Sequence, residues 1–183
     1  MKEKLWTLSN ILSLSRIALM APVVYYFLSA IPHHREYAVL FTLLAVTTDA
    51  LDGYFARLLH QESEIGKIVD PLADKIGVGI VVVLLVYFGD IQWWYAFLVL
   101  LRDLLIFLGG VFIRRKKGII LPSNMTGKFA VAFVALTITL AMLRYPMFAT
   151  VEEWSLAISC LLLVLSFGIY VRRFYRIVFE TNG

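Results

Sequence analysis

Cysteine and charge are both scarce in this sequence. The single cysteine, Cys160, stands alone within an apolar run, so no intrachain disulfide is possible and packing is its default role. Only 16% of the residues are charged against 61% hydrophobic, and the mean hydropathy is +0.82. That balance excludes an ordinary soluble domain. Internal repeats and low-complexity segments are absent, as are a G-x-G-x-x-G turn, a P-loop and any Ser/His/Asp arrangement. Dinucleotide-binding, P-loop and triad chemistries therefore have no foothold.

Long hydrophobic runs are what the chain does have. A spanning helix needs about 20 apolar residues, so 183 residues accommodate about six spans with short links and no soluble domain besides. The expected fold is an all-α integral membrane protein forming one domain over residues 1–183. Residues 1–10 form a short interfacial helix with Trp6 in the aromatic belt, 11–171 a six-helix bundle, and 172–183 a basic tail. The spans are expected at 11–29, 37–59, 65–88, 91–113, 126–142 and 154–171. Polar turns fall at 32–36, 89–90 and 146–153, and a longer link at 114–123. The first run exceeds a signal-peptide core of about 7–15 residues and lacks a good cleavage site, so it is read as a retained helix.

Basic residues set the orientation. Lys2, Lys4, Arg57, Lys67, Arg114, Arg115, Lys116, Lys117, Lys128, Arg172, Arg173 and Arg176 flank one side, whereas Arg35 and Arg144 flank the other. The positive-inside rule then makes both termini and the 114–123 link cytoplasmic. The net charge of +4 is juxtamembrane; it favours anionic lipid surfaces and gives no reason to expect nucleic acid.

Against this apolar background, residues 49–74 carry Asp49, Asp52, Asp70 and Asp74. Buried ionised carboxylates need a compensating cation. Asp49 and Asp52 are three apart, and Gly66, Asp70 and Asp74 are successively four apart, so each set shares one helix face. If the link after Arg57 reverses the chain, both carboxylate pairs meet at one depth. Oxygen donors suit a hard divalent cation such as Mg²⁺, Mn²⁺ or Ca²⁺. Gly53, Ala56 and Gly66 keep the helices open toward a ligand. The charges alone also fit a carboxylate-based cation carrier.

The full spacing resembles a known family. Asp49, Asp52, Gly53, Ala56, Arg57, Gly66, Asp70 and Asp74 match all eight fixed positions of the D-x2-D-G-x2-A-R-x8-G-x3-D-x3-D signature of the CDP-alcohol phosphatidyltransferases. The resemblance implies a six-helix membrane enzyme with two divalent metal ions, Mg²⁺ or Mn²⁺, expected as a homodimer. It would transfer a phosphatidyl group from CDP-diacylglycerol to an alcohol and release CMP, with the site facing the cytoplasm of a bacterial or archaeal membrane. It also implies that Asp49, Asp52 and Asp70 hold the metals, with Asp74 beside them as general base. Asp49, Asp52, Gly53, Ala56, Arg57 and Gly66 would border the CDP donor. The segments 10–17 and 66–75 are similar to the branch of phosphatidylglycerophosphate synthases and cardiolipin synthases, which makes glycerol 3-phosphate the first acceptor to consider. Phosphatidylglycerol, serine and inositol phosphate remain open. Arg102-Asp103 departs from the Arg-Glu of the former enzymes toward the latter, and Phe129-Ala130-Val131 follows Gly127-Lys128 where a second Lys and a Thr are usual.

Four cations inside the spans are candidates for the acceptor's phosphate: Arg16, Lys75, Arg102 and Lys128. Arg16 is read as phosphate-binding in preference to snorkelling. Arg102 with Asp103 fits either a structural ion pair or a substrate contact, and Lys128 either the cavity or the interface. His33-His34 reads as a solvated loop pair, and 114–117 as a topogenic patch. Gly109-Gly110 would permit close helix packing, including at a dimer contact.

Overall fold

The computed structural model describes the backbone of residues 8–59, 66–118 and 124–180, and the side chains of 14–48, 75–118 and 124–179. Six α-helices follow in order: α1 (Leu8–Leu28), α2 (His34–Leu59), α3 (Gly66–Tyr87), α4 (Trp93–Lys117), α5 (Met125–Leu143) and α6 (Ala149–Tyr175). A 3-10 turn, Pro146–Phe148, leads into α6, and a π-helical turn, Arg176–Glu180, follows it. Among the described residues there is no strand. Two compact units divide the chain, residues 1–88 and 89–183.

In the first unit α1 packs against both α2 and α3. Its buried face is Arg16, Met20, Val23 and Phe27, and their spacing of four, three and four keeps them on one stripe of a helix. Ala38, Val39 and Ala45 of α2 and Val81, Val82 and Leu85 of α3 are buried in the same unit. Gly77 of α3 faces Met20 of α1, where a Cβ would make ordinary contact at 3.6 Å from Sδ.

In the second unit α6 packs against α4 and α5. Ser155, Ser159, Leu163 and Ser166 are its buried face, again at helical spacing but mostly polar. Each hydroxyl has a partner, as burial in an apolar medium requires. Ser159 donates to Leu156 O at 2.8 Å, so Tyr95 donates to Ser159 Oγ, also at 2.8 Å. Ser155 and Thr137 pair at 2.7 Å.

Several boundaries differ from the hydropathy reading. The basic run 114–117 is not in the link but forms the last turn of α4, which Gly118 closes in the left-handed conformation by donating to Arg114 O. Cations complement the partial negative charge of a helix C-terminus, so the charges extend the helix. Helix α6 starts at Ala149 and runs to Tyr175, taking in both Glu152 at its acidic start and Arg172 and Arg173 at its basic end. Hydropathy placed those charges in the 146–153 turn and the 172–183 tail. Residues 8–10 of the expected interfacial segment are already part of α1; residues 1–7 lie outside the described residues. By sequence, Trp93, Trp94 and Tyr95 together enter the fourth span as an interfacial aromatic belt; Tyr95 departs from this, being wholly buried, whereas Trp93 and Trp94 are exposed.

Three of the described helical stretches are long and apolar enough to cross a membrane: Trp93–Lys117, Met125–Leu143 and Pro146–Phe179. Leu14–Leu28 and Lys75–Tyr87 are apolar but shorter.

Candidate active site

The signature residues occupy two successive helices of the first unit. Asp49, Asp52, Gly53, Ala56 and Arg57 fall in the C-terminal half of α2, and Gly66, Asp70 and Asp74 in the N-terminal half of α3. The helical backbone through both segments realises the three- and four-residue spacings that put each carboxylate pair on one face. The side chains of residues 49–74 lie outside the described residues, as does the link 60–65. Among the described residues, no group of three or more His, Cys, Asp or Glu is arranged to hold a metal. The aspartates themselves offer hard oxygen donors, the set that suits Mg²⁺ or Mn²⁺.

Two candidate cations belong to the same unit. Arg16 is buried, only 3% exposed. A guanidinium sunk in the packed face of α1, alongside Met20, Val23 and Phe27, is not snorkelling to the interface. Lys75, one residue after Asp74, is half-buried on α3.

The second unit holds Arg102 and Lys128. Arg102 Nη1 donates to Asp103 Oδ1 at 2.7 Å, and Nη2 donates to Ser166 Oγ at 3.0 Å. The ion pair read as one of two alternatives therefore exists. It does not consume the guanidinium, which carries five N–H donors. Arg102 also reaches the start of α5, where a Cβ on Gly127 would lie 3.5 Å from Nη2 and 2.6 Å from Asn124 Oδ1. Asn124 caps α5 by accepting from Gly127 N. A side chain at Gly127 would displace the capping oxygen of Asn124 while meeting Arg102 only at ordinary contact distance. Lys128, the next residue, is exposed.

A family model for CDP-alcohol phosphatidyltransferase matches residues 6–165, most of the chain. The chain belongs to this family. Three relatives bracket it. A protein of Aquifex aeolicus named CDP-diacylglycerol–glycerol-3-phosphate 3-phosphatidyltransferase is 35% identical over 131 residues, covering 70% of this chain and 71% of that protein. One of the same name from Mycoplasma pneumoniae is 30% identical over 151 residues, covering 74% and 65%. A Mycobacterium bovis protein, named as a candidate cardiolipin synthase, is 33% identical over 105 residues, 57% of this chain and about half (49%) of its own length.

As a CDP-alcohol phosphatidyltransferase, the chain is an enzyme of phospholipid synthesis, and the remaining polar features sort themselves accordingly. His33 pairs with Glu36 at 3.0 Å in an exposed turn, and His34 Nδ1 sits 3.1 Å from Tyr26 O, so this histidine pair serves the turn. Gly109 packs within the unit: Tyr170 donates to Ile106 O at 3.0 Å, and a Cβ on Gly109 would fall against the Tyr170 hydroxyl. Its small size serves the α4–α6 seam. Ser166 and Asn124, both in contact with the Arg102 neighbourhood, were not singled out by sequence. The signal was there for Ser166: serines at 155, 159 and 166 keep helical spacing through an otherwise apolar run.

Proposed function

We propose that the protein transfers the phosphatidyl group of CDP-diacylglycerol to glycerol 3-phosphate, giving phosphatidylglycerophosphate and CMP. The eight-position signature on α2 and α3 carries the reading, and membership of the family supports it. The printed names of the Aquifex and Mycoplasma relatives favour glycerol 3-phosphate as acceptor.

In this reading, with Asp74 at the edge of the metal set, Asp49, Asp52 and Asp70 would hold two divalent ions, Mg²⁺ or Mn²⁺. When bound, these neutralise the negative charge that the donor's diphosphate gathers during transfer. Asp49, Asp52, Gly53, Ala56, Arg57 and Gly66 border the CDP moiety, where small residues admit the nucleotide and Arg57 pairs with phosphate oxygen. Asp74 accepts the proton of the acceptor hydroxyl. That oxygen bonds to the phosphorus carrying diacylglycerol, and the bond from this phosphorus to the CMP oxygen breaks. Arg16 and Lys75 of the first unit, and Arg102 and Lys128 of the second, are the candidate cations for the acceptor's own phosphate. The protein works as one membrane domain of six spans, as a homodimer, with both termini and the site on the cytoplasmic side, where CMP is released into water.

A second reading, transfer to phosphatidylglycerol as in cardiolipin synthesis, draws on the Arg102-Asp103 pair and the mycobacterial relative. Purified protein supplied with CDP-diacylglycerol and Mg²⁺ separates the two. CMP release that rises with glycerol 3-phosphate, and not with phosphatidylglycerol, supports the first; the reverse supports the second.

A further inference from the structure

Two anchors on different nitrogens hold the Arg102 guanidinium. Asp103 accepts from Nη1, and Ser166 Oγ, on a residue 1% exposed, accepts from Nη2. The hydroxyl of Ser166 gives its own proton to Leu163 O at 3.1 Å. A serine hydroxyl has one proton to donate; with it committed to the backbone, the oxygen presents a lone pair to Arg102 in a fixed direction. One ion pair would leave a long side chain free to swing. Two contacts on separate nitrogens fix the plane of the guanidinium as well as its position. The plane so fixed sets Nη2 beside Gly127 and the Asn124 cap. The second N–H of Nη2 is thus preorganised beside the first turn of α5, where the helix dipole also favours an anion.

We infer that Ser166 is a positioning residue for transfer: by accepting from Arg102 Nη2 it orients the guanidinium that receives the acceptor's phosphate. This rests on the assignment of Arg102 to the acceptor pocket. Ser159 provides the internal comparison. It is equally buried on the same face of α6 and bonds Tyr95 across helices, and among the described residues it has no hydrogen bond to a cation.

The test is steady-state kinetics on the purified full chain in lipid–detergent micelles, varying glycerol 3-phosphate and CDP-diacylglycerol separately. Ser166→Ala should lower kcat/KM for glycerol 3-phosphate roughly tenfold, the effect of one hydrogen bond to a charged group. The KM for CDP-diacylglycerol should stay within about twofold, and Ser166→Thr, which keeps the hydroxyl, should recover most of the loss. In an Arg102→Gln background the further change Ser166→Ala should cost less than about twofold, because its effect passes through the missing arginine. Ser159→Ala should leave both KM values unchanged. Equal losses toward both substrates, or a Ser166→Ala loss undiminished in the Arg102→Gln background, would overturn the positioning role. If Arg102→Gln itself leaves glycerol 3-phosphate kinetics intact, it is the assignment of Arg102 that fails, and the inference with it.

Discussion

At the scale of single residues, the chemistry reduces to a few carboxylates and cations in an apolar chain. Asp74→Asn keeps the shape of the side chain but removes its ability to take a proton, so CMP release should fall by roughly 10²–10⁴, the usual share of a general base. Asp49→Asn removes one charge from the proposed metal set. It should raise the Mg²⁺ concentration needed for half-maximal activity, which a metal titration reads directly. Gly127→Ala acts through geometry. Its Cβ would stand 2.6 Å from Asn124 Oδ1, so the cap must open, at a cost of about 1 kcal/mol. Thermal unfolding in detergent would record that cost, and Asn124→Ala should reproduce most of it. Arg16 was legible as a charge set inside the first apolar run, and it is buried in line with Met20, Val23 and Phe27. The buried serine stripe at 155, 159 and 166 was legible as a spacing, but which of its members meets a cation shows only once the neighbours across the helix seam are known.

At the scale of elements, the seam between α4 and α6 depends on one small residue. Gly109→Ala would drive a methyl against the Tyr170 hydroxyl and disturb its bond to Ile106 O, at a cost of about 1–3 kcal/mol. Tyr170→Phe should relieve part of that clash, so the double variant should lose less than the sum of the singles. Gly110 has open space where its Cβ would go, and Gly110→Ala should be neutral or stabilise by up to about 1 kcal/mol through helix propensity. Chemical or thermal melts of the four variants separate these outcomes. The helices themselves were legible as hydrophobic runs, since α1 to α6 each contain or coincide with the core of an expected span. Their ends were not. Hydropathy stops a helix at the first charges, whereas the helix dipole welcomes bases at a C-terminus and acids at an N-terminus. Arg114 to Lys117 and Glu152 accordingly fall inside helices. Tyr95 misled for a related reason: a tyrosine beside two tryptophans reads as an interfacial anchor until its hydroxyl is found on Ser159.

At the scale of the whole molecule, the asymmetry of basic residues makes a claim about orientation. In a Cys160→Ala background, single cysteines placed at position 118 and near the C-terminus should react with a membrane-impermeant maleimide only from the cytoplasmic side. One placed at His33 should react only from the opposite side. The central claim, however, concerns reaction class. The most direct measurement is CMP release by purified protein with CDP-diacylglycerol and Mg²⁺, adding glycerol 3-phosphate, phosphatidylglycerol, serine or inositol phosphate one at a time, with Asp74→Asn alongside. Release driven by glycerol 3-phosphate, abolished by chelating the metal and lost in Asp74→Asn, is the predicted result. Folded, metal-loaded protein that releases no CMP with any acceptor, yet carries divalent cations across a vesicle membrane, would contradict it.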